Sequence, residues 1–234
     1  MVNNYYEYSK PIKMLSNSNK VVNWFFYTSI LLIVLAFYII FNIGKDIQQS
    51  YYYLIIYIHI PSAWLCILIY IIITITSILF LINKNPLINI ITISGLTIGF
   101  IFTIITLITG ALWGKPMWGT FWVWDARLTS VAVLALLYFI NILINYLSIS
   151  TINKYNIISI FIIIGLINIP IIKLSVEWWN TLHQSSSISQ LNSSIHISMV
   201  IPLFCITISL ILITLLNIFI EIRYLIVIHK KSNY

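Results

Sequence analysis

Six apolar runs, each close to the length that crosses a bilayer, limit what this chain can fold into. They extend roughly from Trp24 to Ile43, Ser62 to Ile82, Leu87 to Leu112, Leu128 to Leu147, Ile157 to Ile172 and Ile197 to Ile220. A helix needs about 20 residues to cross the hydrocarbon. Backbone groups in lipid must be paired within their own segment, so these runs are expected to be helices. The strict alternation of a membrane β-barrel is absent. With 61% hydrophobic and 7% charged residues, the 234-residue chain has too few charges to clothe a water-soluble domain. The expectation is an all-α integral membrane protein, a bundle of six transmembrane helices. It has a polar N-terminal tail (1–23), a six-span membrane domain (24–220) and a basic C-terminal tail (221–234). The fifth run is short and contains Pro170, so its ends are the least defined.

The net charge of +7 would suggest nucleic acid in a soluble protein, but the basic residues are scattered singly through connectors and tails and form no stripe. They report topology instead. Lys10, Lys13, Lys20, Lys84, Lys154, Arg223, Lys230 and Lys231 fall on one side, and Lys45, Lys115, Arg127 and Lys173 on the other. The richer side is expected to be the inside, with both termini there. The outer connectors are then the longer ones: Asn42 to Pro61, Trp113 to Arg127 and Lys173 to His196. The first 23 residues lack the pattern of a cleaved signal or an Arg-rich transit peptide, so the first span itself is expected to direct insertion. Cys66 and Cys205 both lie in apolar runs and no CxxC is present, so a thiol relay and covalent haem attachment are not expected.

Tryptophan sorts the same way. Trp64, Trp113, Trp118, Trp122, Trp124, Trp178 and Trp179 lie in or beside outer connectors, leaving Trp24 alone near the inside. An interfacial belt would decorate both faces. The densest stretch is "LWGKPMWGTFWVWDARLTS", residues 112–130. Gly114, Pro116 and Gly119 predict that the third span ends near Leu112. A helix from Trp118 onward would place Trp118, Trp122 and Asp125 on one face, and Asp125 would cap the helix that carries Arg127.

His59, His183 and His196 map to the outer side as well, while His229 sits in the basic inner tail. His59 stands just before the second span, and His183 in the loop before the last. Either histidine alone is more simply an interfacial residue. Two of them on separate outer connectors, flanking a tryptophan-rich one, suit a flat apolar ligand with a central iron. Such a ligand needs aromatic surface for its face and imidazoles for the metal. It also needs a cation for its carboxylates, a role open to Arg127 or Lys115. Haem meets that description.

The string Trp118-Gly119-Thr120-Phe121-Trp122-Val123-Trp124-Asp125 matches WGxxWxWD, the tryptophan-rich (WWD) signature of haem-handling membrane proteins of cytochrome c biogenesis. "GKPM", "ARLTS", "HIPSAW" and "EWWNTLHQ" stand where that family has them, and length and span number resemble the CcmC family. The resemblance implies a protein that holds haem b, bound non-covalently and in transit, at the outer face. It implies delivery to a CcmE-like haem chaperone, alongside an ABC-type transporter formed by CcmA and CcmB. By the same resemblance, His59 and His183 match the axial iron ligands. Trp118, Gly119, Trp122, Trp124 and Asp125 match the haem-binding and chaperone-docking signature. Trp113 and Arg127, from the same stretch, complete the cofactor-binding candidates. His196 matches neither ligand position. Such a role is not enzymatic in the usual sense, and its partners are haem, Ccm components and membrane lipid. The AT-rich residue bias and the wording of "GTFWVWDARLTS" point to a mitochondrial inner membrane, with a bacterial inner membrane as the alternative.

Two other classes are weighed against this one. An electron-transfer cytochrome b-like subunit would carry histidine pairs inside its spans, where this chain has almost none. A transporter, including one that carries haem, would show polar or broken helices near mid-membrane, and no internal repeat is visible here.

Overall fold

A computed structural model describes residues 11–46, 49–147, 150–179 and 196–232, without the side chains of 11–18, 86–87, 151 and 225–232. The helices are α1 (Pro11–Phe41), α2 (Ile56–Asn83), α3 (Pro86–Trp118), α4 (Ala126–Asn145), α5 (Thr151–Gly165), α6 (Asn168–Trp178) and α7 (Ile197–Ser232). A short 3-10 turn, Tyr52–Ile55, leads into α2. Among the described residues, six helical passes are long and apolar enough to cross a membrane, at 19–41, 52–83, 88–118, 126–145, 152–178 and 197–224. Among the described residues the extended pairing is a single bridge between Asp46 and Ser50. The six-span all-α architecture expected from the apolar runs is therefore present.

Helices α2, α3, α4 and α5 close around one core, α6 continues α5 along α4, and α7 lies against α2 and α3. Helix α1 packs chiefly on α7. The two run antiparallel, with Ser209 Oγ donating to the Ser29 carbonyl at 3.0 Å and Leu203 clustering with Ile40 and Ile43. The core centres on Tyr70 and Tyr138, both fully buried, whose rings meet edge-to-face at 5.2 Å. Their hydroxyls are satisfied across helices: Tyr138 donates to the Cys66 carbonyl at 2.7 Å and Tyr70 to the Ile162 carbonyl at 3.1 Å. A phenol in an apolar core needs such a partner, because an unmade hydrogen bond there is costly. Gly99 abuts the Tyr138 ring and Gly165 the Tyr70 hydroxyl, leaving no room for a Cβ at either position. Buried threonines solve the same problem locally: Thr74, Thr103, Thr106 and Thr207 each donate to the carbonyl four residues back.

Several expected boundaries are corrected. The second pass begins at Tyr52 rather than Ser62, so His59 lies inside α2 and not before it. The third continues past Leu112 to Trp118. The fifth spans 152–178 rather than 157–172, and is broken within. There α5 stops at Gly165, Leu166 and Ile167 form a tight turn, and α6 starts at Asn168. Pro170 has no N–H and its ring would strike the Leu166 carbonyl of a regular helix, so the helix resets there. Asn168, buried, fixes the break by donating Nδ2 to the Ser130 carbonyl at 2.8 Å. Helices α1 and α7 extend into the segments read as tails.

Candidate functional site

The tryptophan-rich segment closes α3 and opens α4. Helix α3 passes through Gly114 because that glycine makes room for the indole one turn on: a Cβ there would come within 2.8 Å of Trp118 Cε3. The helix stops at Gly119, which takes φ +77, the left-handed conformation that favours glycine at a helix end. The Gly119 N–H donates to the Lys115 carbonyl at 3.0 Å, and Lys115 Nζ donates back to the Gly119 carbonyl at 2.9 Å. The same ammonium lies 5.0 Å from the Phe121 ring centroid. Lys115 thus pins the turn, which makes it a poorer candidate for carboxylate binding than Arg127.

Residues 119–125 are not helical, so Trp118, Trp122 and Asp125 do not share a helix face, contrary to the sequence expectation. Two local preferences override the i, i+4 pattern. Gly119 terminates α3. Asp125, in extended conformation, caps α4, with its Oδ1 accepting from the Leu128 N–H at 2.7 Å. The expected capping role of Asp125 is present. Between them the Trp122 and Trp124 rings meet edge-to-face at 5.5 Å. Trp124 is 82% exposed and Phe121 is 53% exposed. Trp122 Nε1 is buried and has no hydrogen-bond partner among the described residues. Arg127, partly buried, occupies the first turn of α4. A cation there opposes the helix dipole, so helix stability does not explain it.

His59 faces α3. Its Nδ1 lies 3.0 Å from Thr109 Oγ1, and its ring meets the Trp113 indole at 5.8 Å and 73°. Gly110 makes the space: a Cβ there would stand 3.1 Å from His59 Cε1. Trp113 is itself anchored, donating Nε1 to Gln49 Oε1 at 3.0 Å, which ties the first long connector to α3. Beneath that connector Tyr53, Ile56, Tyr57 and Leu203 form a second apolar cluster, joined by Trp64 and Trp113. Those two tryptophans are therefore built into packing, unlike Trp124.

The structure thus joins His59 to Trp113, and Trp118 to Trp124 through one turn at the end of the same helix. His183 lies outside the described residues. His196 stands just before α7, its Nδ1 accepting from the Ser198 N–H at 3.3 Å and lying 2.8 Å from the Ser198 hydroxyl. This is a capping arrangement. Trp178 and Trp179, at the end of α6, are about half exposed with rings 5.8 Å apart. Thr109, Gly110 and Gln49 escaped sequence reading. Thr109 precedes Trp113 by four residues, one helical turn, which is the signal that could have paired it with that face.

The sequence pattern of the family described as "CcmC: Heme exporter protein C" matches residues 4–234. A ccmC-like mitochondrial protein of cytochrome c biosynthesis from Marchantia polymorpha is 53% identical over 182 residues, 78% of this chain and 77% of that one. A counterpart of the same description from Arabidopsis thaliana is 42% identical over 212 residues, covering 90% and 78%. Heme exporter protein C of Bradyrhizobium diazoefficiens is 36% identical over 203 residues, covering 86% and 77%.

Proposed function

We propose a function from the premise that this chain belongs to the CcmC family, as its match across residues 4–234 and its relatives show. It is a multi-pass membrane protein of cytochrome c maturation, with a role in haem handling. The plant mitochondrial relatives and the six spans support the mitochondrial inner membrane, and the bacterial relatives support the corresponding bacterial membrane. Beyond that, haem b is cargo, held non-covalently at the tryptophan-bearing end and released to a CcmE-like chaperone. CcmA and CcmB supply the associated transporter. The chain itself carries out no bond-making chemistry.

One observation carries this reading: a positioned imidazole and an exposed tryptophan turn lie at the same end of the bundle. Trp113, whose indole meets the His59 ring, sits about 7.5 Å along α3 from Trp118, at 1.5 Å rise per residue. The residues present suit the cargo. His59 offers an imidazole to the iron, with His183 as its axial counterpart. Trp118, Trp122 and Trp124 offer flat apolar surface, with the turn at Gly119 presenting them. The buried Trp122 N–H, unpartnered among the described residues, is a donor that a polar group of a bound molecule would satisfy. Arg127 offers a fork for a propionate, which accounts for a cation in a first helical turn. An exposed Trp124 suits handover, because a cargo enclosed within the helices could not be reached by a partner.

The test is spectroscopic. Purified protein should show six-coordinate, low-spin haem with two imidazole ligands, lost when His59 and His183 are both replaced by alanine. An unchanged spectrum in that double variant overturns the ligand assignment. Co-purification of haem together with the chaperone tests delivery.

A further inference from the structure

We infer that Thr109 is a positioning residue that selects the tautomer of His59 and so prepares Nε2 to bind iron; this rests on His59 being the axial ligand proposed above. A threonine hydroxyl has one hydrogen to donate and two lone pairs that accept. Thr109 Oγ1 lies 2.6 Å from the Ile105 carbonyl, one turn back on α3, with the Thr106 carbonyl farther away at 3.3 Å. A carbonyl can only accept, so the hydroxyl hydrogen is committed to Ile105. The contact of 3.0 Å between Thr109 Oγ1 and His59 Nδ1 must then run the other way, with Nδ1–H donating to the hydroxyl oxygen. The neutral ring with its proton on Nδ1 carries its electron pair on Nε2. That electron pair is the one a metal would take, and the hydrogen bond on the other nitrogen strengthens it as a donor.

Two neighbours make the orientation specific. Gly110, next to Thr109, admits the ring edge, since any Cβ there would press on Cε1 at 3.1 Å. Trp113, one turn beyond Thr109, meets the ring edge-to-face. The relay therefore runs from the Ile105 carbonyl through the Thr109 hydroxyl, both on α3, to the imidazole on α2. Nothing in the tryptophan signature itself contains these residues.

Thr109→Val keeps the shape and removes the acceptor, while Thr109→Ser keeps the acceptor and removes a methyl group. Haem affinity should fall about 10- to 100-fold in Thr109→Val, the usual range for loss of such a support, and stay near the parent value in Thr109→Ser. The haem that Thr109→Val retains should show altered low-spin electron paramagnetic resonance and a raised midpoint potential, because a weaker donor favours the ferrous state. In haem-free parent protein, nitrogen-15 resonances of His59 should report the Nδ1-protonated form. Equal helical content by circular dichroism separates these effects from misfolding. If Thr109→Val does not fold, Thr109→Ala is measured against the same expectations. Parent-like affinity, resonance and potential in the variant without an acceptor would overturn the inference, as would an equal loss in Thr109→Ser. His59→Ala separates the two readings. An unchanged haem spectrum there removes the ligand assignment and this inference together. Its loss there, with Thr109→Val unaltered, removes only the role of Thr109.

Discussion

Tyr70 and Tyr138 are fully buried inside the bundle, with hydroxyls spent on carbonyls of neighbouring helices, whereas Trp124 stands 82% exposed at the bundle's end. Both regions combine aromatic rings with glycines. In the core, Gly99 and Gly165 let helices close over the two tyrosines, whose hydroxyls are both committed, so the rings act as packing. At the rim, Gly119 turns the chain so that rings emerge, and Trp122 keeps a buried N–H without a partner among the described residues. The same residue classes thus give a rigid centre and a receptive edge. What separates them is whether their hydrogen-bonding capacity is satisfied within the fold.

That contrast breaks most sharply at Gly99. Gly99→Val would drive side-chain atoms into the Tyr138 ring, and overpacking of this kind costs about 1–3 kcal/mol. The thermal midpoint in detergent should drop, with haem binding lost in parallel; an unchanged midpoint would mean that the tyrosine layer yields easily. Asp125→Ala removes the α4 cap, with an expected cost of about 1 kcal/mol. It should weaken capture of the chaperone in pull-downs more than it weakens the haem absorbance. Loss of the haem spectrum with chaperone capture intact would contradict this. Tyr138→Phe deletes the bond to the Cys66 carbonyl and should cost about 0.6 kcal/mol, the average for polar contacts between membrane helices. Its haem spectrum should match the parent's, and a changed spectrum would show that core and rim are coupled. Trp124→Ala sits at the other extreme. An exposed side chain should change stability by no more than about 0.5 kcal/mol, while stopped-flow transfer of haem to the chaperone should slow. Equal transfer rates would reduce Trp124 to an ordinary interfacial residue.

Much of the architecture was legible because it follows from solvation alone. A run such as Ile197 to Ile220 cannot satisfy its backbone in lipid except as a helix, whatever its neighbours do. Asp125 as a cap was also legible, since a carboxylate ahead of an apolar helix is a local signal. Span ends were less so. Gly114 and Pro116 read as breakers, yet α3 continues through both, because Gly114 is needed as a seat for the Trp118 ring. The break at Leu166–Ile167 was hinted at by Pro170 but is held by Asn168 reaching to Ser130 on another helix.

The sequence by itself determined the number of spans, the gathering of tryptophan in one connector, and the family, since these depend on composition and on residues adjacent in the chain. Only the tertiary structure decided that His59 belongs to α2 and looks onto Thr109, Gly110 and Trp113. It also decided that Lys115 is committed to the turn while Arg127 stands in the first turn of α4. Thr109 is 50 residues from His59 in the chain. A hydrogen bond needs two groups within about 3 Å, and spacing along a sequence carries no such distance until the helices are packed.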